Sequence, residues 1–322
     1  MTPPTALAPV AGTDQRIDRL NTASLRRVVE PDEEVPGSIG PGQVIPTHLL
    51  SIADLDLGLD TDQLVTLSRQ EVASIVQEGI RFEAVLMAGF ALMIADAPDL
   101  TNPRVTYMLH EIGEETRHSR LFARMVGQLT PLAPNPLAHP FLGWFFRKGM
   151  AQVIRRPAVL FTMVLGGEEI PDLFQKLAAE DPATDPFVRE VNRYHRQEEA
   201  RHLAYARMVL PELWPEASFV DRFIVRRLGP GIISGMFSGI VHPGVYRSVG
   251  LPGWRTWRRA NRSPSRLAMR HRATRPILQQ LVAAGAVDPD RVPRPWRRLC
   301  GVDRHSRPVT PSSTIPTPVA AG

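Results

Sequence analysis

Cysteine is nearly missing from this sequence. Cys300 is the only one, so an intramolecular disulfide and any CxxC zinc site are excluded. Lysine is almost as rare: Lys148 and Lys176 are the only two among 322 residues, and the remaining positive side-chain charge is arginine. No apolar run is long enough for a membrane span. Runs such as AVLFTMVLGG at 158–167 stop short of the roughly 20 residues required. The opening MTPPTALAPVAG is mild and interrupted by proline, unlike a basic-then-apolar secretory signal. No segment alternates apolar and polar residues for long enough to build a substantial sheet. The expectation is a soluble, cytoplasmic, helical protein with no membrane partner.

Charge is unevenly spread. Residues 1–250 hold 24 basic and 30 acidic side chains, whereas 251–322 holds 14 arginines against 3 aspartates. A basic tail could touch nucleic acid or lipid. This one has only Trp254, Trp257 and Trp296 as aromatics and no nucleic-acid motif, so a nucleic-acid partner is not expected.

At this length one main domain with tails is the favoured organisation. Residues 1–44 read as an irregular, partly disordered entry, with Pro, Gly and acidic groups gathered at 31–47. From Thr61 apolar residues recur every three or four positions without a break until Pro98, which predicts one long helix. Asn102 and Pro103 mark the start of a second helix running to about Leu129. PLAPNPLAHP at 131–140 reads as a loop, and Pro157 and Pro171 bend or divide the apolar region after it. DPATDP at 181–186 reads as a turn, and the next helix is expected to end near Pro211. Further helices are expected around 217–240 and 274–284. Residues 261–305 read as a basic, helical or irregular extension, and 306–322 as a disordered tail. Long helices without strands predict an all-α bundle.

The chemistry sits in a repeated word. EExRH occurs as Glu114–His118 and again as Glu198–His202. One ExxH arises by chance in a chain of this size about as often as not at average residue usage. The same five-residue word on two long helices does not. Glu115 and His118, three residues apart, lie on one helical stripe, as do His195, Glu199 and His202. A bundle that holds two metals needs two such pairs and one further Glu from each of two other helices. Glu83, in GIRFEAVLMAGFAL, and either Glu168 or Glu169, in TMVLGGEEIPDL, supply them. An unpaired buried carboxylate is costly, and a metal ion satisfies several at once. Mixed oxygen and nitrogen donors suit iron or manganese better than structural zinc. Glu114 and Glu198 could accept hydrogen bonds from the ligand histidines, with Arg117 and Arg201 turned outward onto carboxylates or solvent. Glu78 and Glu111 share these helices without being required by the motif. Phe82, Phe90, Met108, Phe161 and Met163 read as core packing before a substrate pocket.

The order Glu83, Glu115-x-x-His118, Glu168, His195-x-x-x-Glu199-x-x-His202 resembles the p-aminobenzoate N-oxygenase family of ferritin-like diiron proteins. That family adds a third histidine one turn before the second ExxH, and His195 fills that place. The separation of 31 positions between Glu168 and Glu199 also suits the family and favours Glu168 over Glu169. HPGVYRSVGL at 242–251 is similar to the family's segment after the bundle, and the resemblance runs over about 45–260. It implies a diiron oxygenase domain at 45–260 with Glu83, Glu115, His118, Glu168, His195, Glu199 and His202 as metal ligands. The implied cofactor is two Fe ions, with Mn an alternative in either position. The implied partners are a small-molecule substrate (an aromatic amine), O2 and an external electron donor, with a homodimer allowed. The implied reaction is N-oxygenation of an arylamine. Carbon hydroxylation or desaturation, and a non-catalytic ferritin-like metal protein, are the alternatives.

Overall fold

A computed structural model describes residues 12–26, 28–138 and 148–309. The longer helices among them are α1 (Thr13–Arg26), α2 (Thr61–Ala95), α3 (Pro103–Leu129), α4 (Pro157–Glu180), α5 (Pro186–Glu216), α6 (Gly229–Gly239), α7 (Gly253–Ala260), α8 (Pro264–Ala283) and α9 (Arg294–Cys300). No strand forms among the described residues. The fold is an all-α, ferritin-like bundle whose core consists of two helical hairpins, α2 with α3 and α4 with α5.

Local chemistry sets the helix starts. Asp60 and Gln63 form a reciprocal capping box at the head of α2, and Asn102 accepts from the Arg104 amide at the head of α3, with Pro103 at its first position. Asp185 accepts from the Phe187 and Val188 amides and starts α5. Pro171 lies inside α4 without dividing it. A proline there removes the amide hydrogen bond to residue 167, one turn back. Two glycines let α2 and α4 cross closely. A Cβ on Gly89 would come within 2.7 Å of Leu160, and one on Gly167 within 1.7 Å of Phe82.

Three expectations need correction. The entry segment is not irregular throughout, because 13–26 is helical. Ile17 is buried, Asn21 Nδ2 donates to the Pro103 carbonyl at 3.0 Å, and Asp14 pairs with Arg104 Nε at 3.0 Å. The helix expected to end near Pro211 continues to Glu216 with Pro211 and Pro215 inside it, held by buried Leu210, Leu213 and Trp214. The helix expected at 274–284 starts ten residues earlier, at Pro264, where Ser263 caps it. It lies against α4, and buried Arg266 sits over the rings of Phe174 and Phe237 at 4.9 and 4.5 Å. Part of the basic charge therefore faces inward. Residues 1–11, the end of the loop expected at 131–140, and most of the tail expected at 306–322 lie outside the described residues.

Candidate metal centre

On α3, residues 111, 115 and 118 share one face, and on α5, residues 195, 199 and 202 take the same register. The two faces meet in the middle of the bundle, between α2 and α4. His118, Glu115 and His202 have no exposed surface, and Glu83, Glu168, His195 and Glu199 are buried with them.

The distances divide the centre into two positions. His118 Nδ1 stands 3.3 Å from Glu115 Oε2 and 3.2 Å from Glu199 Oε1. His202 Nδ1 stands 3.2 Å from Glu115 Oε1 and 2.9 Å from Glu199 Oε2. Each of these carboxylates turns one oxygen toward each imidazole, the arrangement a pair of bridging glutamates requires. Around His118, His195 Nε2 lies 3.3 Å from Glu199 Oε1 and 3.5 Å from Glu83 Oε1, with no hydrogen-bond partner of its own. Around His202 lie Glu111 and Glu115, with Glu168 against Glu199.

The outer shell is reciprocal. His118 Nε2 donates to Glu198 Oε2 at 2.9 Å, and His202 Nε2 donates to Glu114 Oε2 at 2.9 Å. Each word's first glutamate thus orients the other word's histidine, fixing the tautomer that leaves Nδ1 facing inward. Arg201 pairs with Glu114 at 2.9 Å and Arg117 with Glu198 at 3.6 Å, so both arginines serve the outer carboxylates. Tyr194 donates to Glu198 at 3.0 Å, Gln175 Oε1 lies 3.0 Å from His195 Nδ1, and Ser119 donates to Glu83 Oε2 at 2.5 Å. Sequence reading missed Tyr194, Gln175 and Ser119, and no spacing rule marks them.

Electrostatics test whether a cation fits. Burial pushes the Glu168 carboxyl well up, and the charges of Glu199 and Glu115 push the same way. Burial would also raise Glu199, but the imidazoles of His202 and His195 outweigh it and hold the group well below the usual range. Burial would lower His118 and His202, yet the surrounding carboxylates raise both well above the ordinary imidazole value. Glu114 is held down at about 2, because hydrogen bonds and charge from His202 and Arg201 outweigh its burial. Carboxylate and imidazole donors in this ratio fit a pair of divalent first-row ions.

The structure also separates neighbours that the sequence left together. Glu168 enters the centre, whereas Glu169 turns to Arg207 on α5. Phe90, Met108, Phe161 and Met163 are buried, and Phe90, Phe161 and Tyr205 form an aromatic cluster with centroids 5.7 to 6.4 Å apart. Glu111, given no role by the motif, is 1 % exposed and lies beside Glu115 and His202.

Residues 11–285 match the family described as p-aminobenzoate N-oxygenase AurF. That is wider than the expected 45–260 and takes in α1 and all of α8. Uncharacterized proteins from Mycobacterium bovis and from two strains of Mycobacterium tuberculosis are each 28 % identical over 172 residues, covering 53 % of this chain and 50 % of theirs. The chain spans about half the length of these curated relatives. No solved structure matches. No helix among the described residues is long and apolar enough to cross a membrane.

Proposed function

The chain belongs to the p-aminobenzoate N-oxygenase AurF family, and from that premise we propose that it is a diiron oxygenase acting on the nitrogen of an arylamine. The observation that carries this reading is the division of Glu115 and Glu199 between the two histidines, one oxygen toward each Nδ1. Glu83, His118 and His195 would hold one iron, His202 and Glu168 the other, and Glu115 and Glu199 both. The iron pair, when bound, supplies activation of dioxygen. Glu198 and Glu114 hold the imidazoles in the ligating tautomer, and Gln175 orients His195. Burial keeps bulk water from the carboxylates.

The balanced first step takes an arylamine, O2, two electrons from an external donor and two protons. It forms one N–O bond, cleaves the O–O bond, and yields an arylhydroxylamine and water. Further cycles lead to nitroso and nitro products.

Anaerobic reconstitution with Fe(II) should give about two irons per chain. The reduced protein, exposed to ¹⁸O2 with p-aminobenzoate, should yield a product carrying the label on nitrogen, read by mass spectrometry. Label arriving only on carbon, when acyl or hydrocarbon substrates are offered in parallel, would transfer the assignment to a hydroxylase or desaturase. One iron or none at saturation would remove the diiron reading altogether.

A further inference from the structure

We infer that Glu111 is an additional metal ligand, giving a carboxylate oxygen to the ion position of His202. The inference rests on the dimetal reading above and adds a residue that reading does not contain. Three observations support it. An oxygen of Glu111 lies within 4.8 Å of ligand atoms of both Glu115 and His202. The side chain is 1 % exposed, and neither oxygen has a hydrogen-bond partner. Glu111 also stands four residues before Glu115, the register His195 takes before Glu199.

No hydrogen bond among the described residues satisfies the Glu111 carboxylate. The nearest charges are Glu114, Glu115 and Glu199, which repel it, and His202, whose Nδ1 faces Glu115 and Glu199 and whose Nε2 donates to Glu114. The hydroxyls of Tyr107, one turn away on α3, and of Tyr205 on α5 both feel the Glu111 charge, and neither makes a hydrogen bond to it. A carboxylate held unpaired among other carboxylates is costly, and a cation at the His202 position satisfies it. The two positions then differ. One carries His118, His195 and Glu83. The other carries His202, Glu168 and Glu111, and Glu115 and Glu199 are common to both. The second position is richer in hard oxygen donors and is the better place for manganese.

The test uses the full chain, stripped of metal and titrated anaerobically with ⁵⁷Fe(II), read by bound-iron analysis and Mössbauer spectroscopy. Wild type should bind two ions with two distinguishable quadrupole doublets. Glu111→Gln keeps the shape and removes the charge. It should retain the first ion, bind the second at least about 10-fold more weakly, the lower end of what loss of a group that merely orients a ligand costs, and shift one doublet only. Glu83→Gln should shift the other. Glu111→Asp keeps the charge but withdraws the oxygen by one methylene. It should bind the second ion more weakly than wild type and more tightly than Glu111→Gln, so the inference stays testable even if the Gln variant folds poorly. Two ions in wild type, with both Glu111 variants matching it in affinity and spectrum, would overturn the role of Glu111 and leave the diiron reading intact. Fewer than two ions in wild type would overturn the diiron reading itself, and the ligand with it.

Discussion

The α2–α3 and α4–α5 hairpins carry the same five-residue word and use it in the same way, yet they differ one turn before it. Glu115 and Glu199 each face both histidines, while Glu114 and Glu198 each hold the histidine of the opposite helix. At the preceding turn, α3 offers Glu111 and α5 offers His195. In the proposed ligand set the two positions would match in their shared glutamates and in their ExxH histidines, and Glu111 against His195 is the difference that would make them chemically unequal.

That comparison can be broken most severely at the shared residues. Glu115→Ala and Glu199→Ala should each cost both ions, because each carboxylate reaches both positions. Iron analysis after anaerobic loading should find less than about one ion per chain. Retention of two ions would show that the shared carboxylates do not bridge.

The unshared residue His195 comes next. His195→Ala should lower arylamine turnover by about 100-fold or more, because removal of a direct ligand costs at least as much as removal of a group that only orients one. It should also change the spectrum of the oxidised iron pair while the His202 position keeps its ion. A spectrum and turnover like wild type would place His195 outside the ligand set.

Reciprocity predicts a matched pair of smaller effects. Glu114→Gln and Glu198→Gln should each weaken metal binding roughly 10-fold. The first should act on the His202 ion and the second on the His118 ion, as read by Mössbauer spectroscopy. Unequal responses would show that the two outer carboxylates are not equivalent. Gly167→Ala tests the contact between the halves. Its Cβ would fall 1.7 Å from the Phe82 ring, and Gly167 and Phe82 are the sequence neighbours of Glu168 and Glu83. Overpacking of this kind costs about 1–3 kcal/mol, measurable by urea unfolding.

The last effect lies outside both hairpins and touches no metal position. His242 is buried, its Nδ1 accepts from the Gly244 amide at 3.1 Å, and burial together with Arg81 lowers it from 6.5 to about 4. Between those values the unfolded chain holds the proton and the folded chain does not. Its contribution to stability is thus present above about pH 6.5 and is lost as pH falls through about 4. His242→Asn, which keeps an acceptor for Gly244, should flatten the denaturation midpoint over that range.

Much of this is legible in the sequence. The start of α2 follows from the apolar repeat that begins at Thr61, and that of α3 from Asn102 and Pro103, whose capping is a property of neighbouring residues. Helix ends were less legible. Pro211 looks like a terminator, but α5 runs through it because the buried Leu213 and Trp214 beyond it anchor the last turn. Helix α1 was not legible at all. Its sequence TDQRIDRLNTASLR offers few apolar residues, and its placement depends on Arg104 and Pro103 in a distant part of the chain.

The sequence by itself determined the stripes. Glu115 with His118, and His195 with Glu199 and His202, must share a helix face, because the 3.6-residue repeat is local and needs no partner. Only the tertiary structure decided which neighbours join them. It turned Glu168 inward and Glu169 onto Arg207, brought Glu111 beside His202, and crossed each outer glutamate onto the histidine of the other word, 80 and 88 residues away. Those choices depend on how far apart and at what angle the helices pack, and helix packing is set by contacts such as Gly167 against Phe82 that no local repeat encodes.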